Sequence, residues 1–102
     1  MSLTIKTAME LQAETQAACQ ARLAKAIDTH VEVQARSLGY SSAVHLAGYA
    51  GSTVARWQTE AQAFVAWRDQ VWQTAIHIMD QANPADPPSA EAVLARLPVW
   101  PG

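Results

Sequence analysis

The chain alternates long stretches of helix-like patterning with short breaks. From residue 53 to 82, the positions Val54, Trp57, Ala61, Phe64, Arg68, Val71, Ala75, Ile78 and Ala82 recur at spacings of three and four. That is a heptad seam, with Arg68 its one charged member. Val65, Trp72 and Met79 form a second row beside it at intervals of seven. Together the rows predict a helix with a wide apolar face, suited to a globular bundle rather than a bare two-stranded coil. Such a helix would be about 45 Å long at 1.5 Å per residue.

A second long helix is predicted upstream. Residues 3–36 hold no Gly or Pro and are rich in Ala, Gln, Glu, Lys and Arg, which lose little rotamer freedom in a helix. Cys19, Leu23, Ile27, Val31 and Leu38 mark its apolar side. Glu32 and Arg36 make a favourably oriented i,i+4 pair. Residues 1–18 are less clearly amphipathic, and this end is expected to fray or to pack on a partner.

The breaks have recognisable chemistry. Gly39 suits the left-handed residue that closes a helix. Ser41 or Ser42 can cap a short helix over Ala43–Ala50, ended by Gly51, and Ser52 or Thr53 can cap the next one. After the long helix, residues 83–102 form a proline-rich connection, a short helix and a tail. Pro84, Pro87 and Pro88 remove backbone donors. Ser89 caps a helix over Ala90–Leu97, with Val93, Leu94 and Leu97 inward, and Pro98 stops it. Trp100 is expected to fold back onto the bundle or onto a neighbour. The architecture predicted is all-α and a single domain, residues 1–102. It has two long antiparallel helices, a short helix between them and a small C-terminal helix.

Composition sharpens this picture in one respect. Two long helices cannot enclose a wide apolar face, and a chain of 102 residues leaves much of its surface in water. Charged residues are only 16 %, against about 25 % in an ordinary soluble domain. With four tryptophans, this implies surface meant to be covered. The partners expected are further copies of the chain, a dimer first, or another protein.

Five residues are candidates for a protein interface: Trp67, Val65, Arg68 and Trp72 in the seam region, and Trp100 in the tail. Trp67 lies at the edge of the apolar stripe, where tryptophan supplies large contact area at low entropy cost. The alternative is that it packs under the short helix. Arg68 in the seam must be paired or reach water along its stem, and Asp28, Glu32 or a partner's carboxylate could meet it.

Catalytic, metal and cofactor readings find little support. His30, His45 and His77 lie on three different predicted elements, and only His77 with Asp80 share a plausible spacing. Cys19 and His30 are about 16 Å apart along one helix, too far to act together. No glycine-rich phosphate loop is present. We therefore expect no catalytic, metal or cofactor-binding residues, and no enzyme activity. Net charge is −2 with no basic stripe, which weighs against nucleic acid. Leu46-Ala47, Gly51-Ser52-Thr53-Val54 and Arg56 do resemble a helix-turn-helix, but Thr53-Val54 arrives early for that motif. A small DNA-binding prophage regulator with a degenerate helix-turn-helix is the alternative reading. No run reaches the ~18 apolar residues that span a membrane. Residues 1–20 carry Lys6, Glu10 and Glu14 without the apolar core of a signal peptide.

One stretch is familiar as a whole. Ala35-Arg36, Gly39-Tyr40-Ser41-Ser42-Ala43, Ser52-Thr53 and Trp57 precede the run Glu60-Ala61-Gln62-Ala63-Phe64-Val65-Ala66-Trp67-Arg68-Asp69-Gln70-Val71-Trp72. Over residues 27–80 this resembles a group of small proteins encoded among the tail and tail-fibre genes of tailed bacteriophages and prophages. The resemblance implies a structural or assembly-assisting role in the phage tail. It also implies a tail protein as partner, and a place in the bacterial cytoplasm or the virion tail. It brings no catalytic residues.

Overall fold

The computed structural model describes residues 8–83 and 85–102, with the backbone alone at 8, 9 and 11–13. The predicted helix start at residue 3, and Pro84 of the connection, lie outside the described residues. The fold is all-helical: α1 (Ala8–Ser37), α2 (Ala43–Ala47), α3 (Ala55–Gln81) and α4 (Ala90–Leu94), with a 3-10 turn at Gly48–Gly51 between α2 and α3.

α1 ends where Gly39 takes φ +97°. The Tyr40 N–H donates to the Ala35 carbonyl and the Gly39 N–H to the Arg36 carbonyl. This reciprocal pair satisfies carbonyls that the helix end would leave open. The chain then turns back at once. The Ser42 side chain caps α2 by accepting from the His45 N–H at 3.0 Å. Glu32 of α1 accepts from the Ala43 N–H, which ties the first turn of α2 to α1. A carboxylate also suits that end of a helix electrostatically.

The predicted single helix over Ala43–Ala50 is two pieces, because Gly48–Gly51 winds more tightly. Neither Ser52 nor Thr53 caps α3. Its cap position is Val54, without a side-chain bond, while the Ser52 Oγ accepts from the Val54 N–H within the loop. α4 is shorter than predicted. After Leu94 the bonds shift to i→i+3, from Arg96 to Val93 and from Leu97 to Leu94, so the last turn approaching Pro98 is wound more tightly.

The core is a single cluster. α1 contributes Leu23, Ile27, Val31 and Ala35, and α3 contributes Ala61, Phe64, Trp67, Val71, Ala75 and Ile78. Leu46 closes the α2 end, and Val93 and Leu97 come from the C-terminal segment. The heptad seam in α3 therefore runs through Trp67 rather than Arg68. Stepping from Phe64 to Val71 by 3 then 4, or by 4 then 3, both stay on one face. The indole can be desolvated cheaply and the guanidinium cannot, so Trp67 goes inward. The ends of the predicted seam also correct: Val54 and Trp57 are each 41 % exposed. They precede the point where α3 meets α1.

Trp67 is 4 % exposed, and its Nε1 donates to the Pro98 carbonyl at 2.9 Å. Trp100 stands edge-on to it at 5.7 Å, and Phe64 and His30 lie at 5.9 Å and 5.7 Å. An edge-to-face aromatic pair adds about 0.5–1.5 kcal/mol beyond area burial. Trp67 thus joins α1, α3 and the C-terminal tail. Replacing it by alanine should lower unfolding free energy by about 3–5 kcal/mol. Trp67→Phe, which keeps a ring but leaves the Pro98 carbonyl without its donor, should cost about 1–3 kcal/mol. Urea unfolding followed by circular dichroism checks both, and an alanine variant as stable as wild type would contradict the packing described.

Candidate protein interface

The candidates read from the sequence divide in the structure. Trp67 is core, not an exposed anchor, so the interface role expected of it is corrected by its burial and its bond to Pro98. Trp100 does fold back. It is half-buried against Phe64 and Trp67, and it belongs to the inner packing. Arg68 meets neither Asp28 nor Glu32. Its Nη2 and Nε bond to Asp69 at 3.0 and 3.2 Å, with about a third of the side chain exposed. Glu32 is engaged elsewhere, at the start of α2. Val65 and Trp72 remain half-buried at the margin of the core.

That margin is where the helix pair is open. The C-terminal segment covers one edge of the pair: its tail lies by Ala55, Arg56, Thr59 and Ala63, and the connection into α4 lies by His77, Ile78 and Gln81. Trp72 and Met79 of the second apolar row face the other edge. There a groove of about 220 Å³ runs between α1 and α3, lined by Leu23, Ala24, Ile27, Trp72, Ile76 and Met79, with Gln20 and Asp80 at its end. Ile76 is 57 % exposed although it sits beside Trp72 and Met79. Sequence reasoning passed over Ile76 because it lies outside both heptad rows. The signal was its spacing of four from Trp72 and three to Met79, which places it on the same strip.

A second surface lies at the α2 corner and was not foreseen. Tyr49 stands 5.7 Å from Tyr40, 5.4 Å from Trp57 and 5.2 Å from His45, with the last two contacts edge-on. The His45 Nε2 and the Tyr49 hydroxyl are 3.2 Å apart. Arg56 and Glu60 complete the rim. Val44 nearby is 83 % exposed. Tyr40 lies in the α1–α2 connection, Tyr49 on the 3-10 turn and Trp57 on α3, so no periodicity links them. Tyr40 donates to the Glu60 carboxylate. That bond, then burial, then the Glu60 charge raise the Tyr40 phenol above its ordinary value near 10, partly offset by Arg56.

The remaining polar candidates are dispersed. His30 lies against Trp67, His45 at the corner, and His77 on the α4 side of α3. Asp80 lines the groove on the other edge, so His77 and Asp80 do not converge. Cys19 is a half-buried thiol. Among the described residues, no three His, Cys, Asp or Glu side chains gather as metal ligands, and no helix is long and apolar enough to cross a membrane. Thr53-Val54 forms the extended lead into α3, and Arg56 follows on its first turn beside Glu60. No protein-family model, curated protein or solved structure matches the chain.

The Tyr40 bond predicts a pH signature. A phenol with a raised folded-state value gives stability that is complete below the unfolded value near 10 and is lost as pH rises through the folded one. Ultraviolet titration at alkaline pH should show Tyr40 ionising above the ordinary tyrosine range. Glu60→Gln should bring it down, and an unchanged titration curve in that variant would contradict the contact.

Proposed function

We propose that the chain is a non-enzymatic binding domain of a bacteriophage or prophage tail. In this reading it acts as a tail or tail-fibre component, or as an assembly chaperone, through helical protein–protein contacts. The observation that carries the reading is the uncovered apolar edge of the α1–α3 pair, where Trp72, Ile76 and Met79 line an open groove. The aromatic corner around Trp57 adds a second such surface. Surfaces of this kind are typically covered by other protein. The likeness of the Glu60–Trp72 run to tail-associated proteins supplies the biological setting. A net charge of −2, and a single arginine on the first turns of α3 beside Glu60, favour protein over DNA as the partner.

The test is affinity capture of the tagged chain from cells producing the phage, with bound chains identified by mass spectrometry. A tail or fibre protein is expected. Trp57→Ala or Ile76→Glu should reduce its recovery at least about tenfold, the scale of one interface hot spot. Ile76 is 57 % exposed and Trp57 41 %, and neither belongs to the buried core, so the fold should survive either change. Recovery of DNA, or of no phage protein, would sink the proposal.

A further inference from the structure

The pocket at the α2 corner is polar as well as aromatic, which sets it apart from the α1–α3 groove. It holds about 410 Å³, a size common among small-molecule sites. Tyr40, Tyr49 and Trp57 supply its rings, and Arg56, Glu60 and His45 its charged and titratable groups. The rings do not stack. Tyr49 stands edge-on to Trp57, with 62° between the planes, and is tilted by 53° to Tyr40. Rings set at such angles do not cover one another face to face, and Trp57 is 41 % exposed.

The walls of the pocket are fastened to one another. The Ser52 N–H donates to the Tyr49 carbonyl at 2.9 Å. Gln62 Nε2 donates to the Ala50 carbonyl at 3.2 Å, which ties the 3-10 turn to α3. Tyr40, in the α1–α2 connection, holds the Glu60 carboxylate on α3. A seat ordered in this way loses little entropy on binding.

Charge chooses among ligands. Aromatic rings attract cations, but the Arg56 guanidinium on the same rim repels them. Arg56 attracts anions, but Glu60 repels those. Among the described residues no ion pair joins Arg56 to Glu60, so both keep capacity for a ligand. The ligand that uses every group is neutral, carries donors and acceptors together, and has an apolar face. A sugar ring is such a ligand. Its hydroxyls donate to a carboxylate and accept from a guanidinium, and its C–H face lies against the negative face of an aromatic ring.

We propose that the corner pocket binds a neutral saccharide, with a pyranose ring against Trp57 and Tyr49 and its hydroxyls on Glu60 and Arg56. Arg56 and Glu60 also line the adjoining cleft with Trp100 and Pro101, so the second ring of a disaccharide has an aromatic neighbour too. This goes beyond the tail reading, which asks only that the corner be covered. A saccharide and a protein contact on Trp57 exclude each other, whereas the groove lined by Ile76 is left free.

Nuclear magnetic resonance titration of the full chain with cellobiose, chitobiose and lactose tests the proposal, read at the indole and backbone N–H signals. At least one disaccharide should shift the Trp57 indole signal, identified by its loss in Trp57→Phe, with a Kd on the order of 1 mM. Sorbitol, which carries hydroxyls without a ring face, should not. Trp57→Ala should abolish the shifts at Tyr49. Glu60→Gln and Arg56→Ala should each weaken binding about tenfold, the scale of a hydrogen bond to a charged group, with helix content unchanged by circular dichroism. Ile76→Glu should leave binding as it is. No shift with any of the three up to about 50 mM, or an equal response to sorbitol, would overturn the proposal. So would wild-type binding by Trp57→Ala, or by both Glu60→Gln and Arg56→Ala. Sugar binding by a chain that captures no phage protein would leave this proposal standing while the tail reading fell, and capture of a tail protein by a chain indifferent to sugars would do the reverse.

Discussion

Everything in the small core converges on Trp67. Its ring fills the step between Phe64 and Val71, against His30 of α1, and its Nε1 holds the Pro98 carbonyl. A helix pair has no reason to recruit an extended proline-flanked tail, since such a segment brings carbonyls that need donors. An indole is suited to the task because it buries a large apolar area and still offers one N–H. The tail then lays Trp100 on Phe64 and Trp67, and α4 brings in Val93 and Leu97. That donor ties the third layer to the helix pair by a hydrogen bond as well as by hydrophobic contact.

The same economy leaves the molecule one-sided. The C-terminal segment covers one edge of the helix pair, and among the described residues the other edge stays open. Among the described residues no polar or charged side chain is buried, so apart from the Trp67 N–H the core offers little polar specificity. Specificity falls to the margins, where Gln20, Asp80 and the half-buried Trp72 border the open edge. Buried apolar area holds the fold together, and the polar margin decides what may dock beside it.

The helical architecture could be read from the chain because its signals are local. A run without Gly or Pro, the break at Gly39, the Ser42 and Ser89 caps and the Pro98 stop all act within a few residues. Spacing also placed the core stripe of α3, apart from one choice that spacing cannot make. Trp67 and Arg68 are neighbours on adjoining arcs, and only the cost of desolvating a guanidinium separates them. Burial of Trp67 further required the Pro98 carbonyl, 31 residues away, which no local pattern announces. The Tyr40, Tyr49 and Trp57 corner was illegible for a similar reason. Its members sit in the α1–α2 connection, on the 3-10 turn and on α3, and the turns that bring them together fix their meeting. Ser52 and Thr53 had the right chemistry for a cap, but the extended backbone up to Val54 places the helix start one residue beyond them.

The closure of α1 shows how handedness, rather than space, can govern a position. Gly39 holds φ +97°, yet a methyl group built there would meet no atom within 4 Å. The obstacle to an L-alanine is torsional, about 1–2 kcal/mol for a left-handed residue. Its mirror image meets no such obstacle. A D-alanine introduced by chemical ligation would match the native turn, and it would also narrow the unfolded chain's choices at that point. The turn that sends α1 into α2 thus excludes side chains by chirality alone, in a place wide enough to admit them.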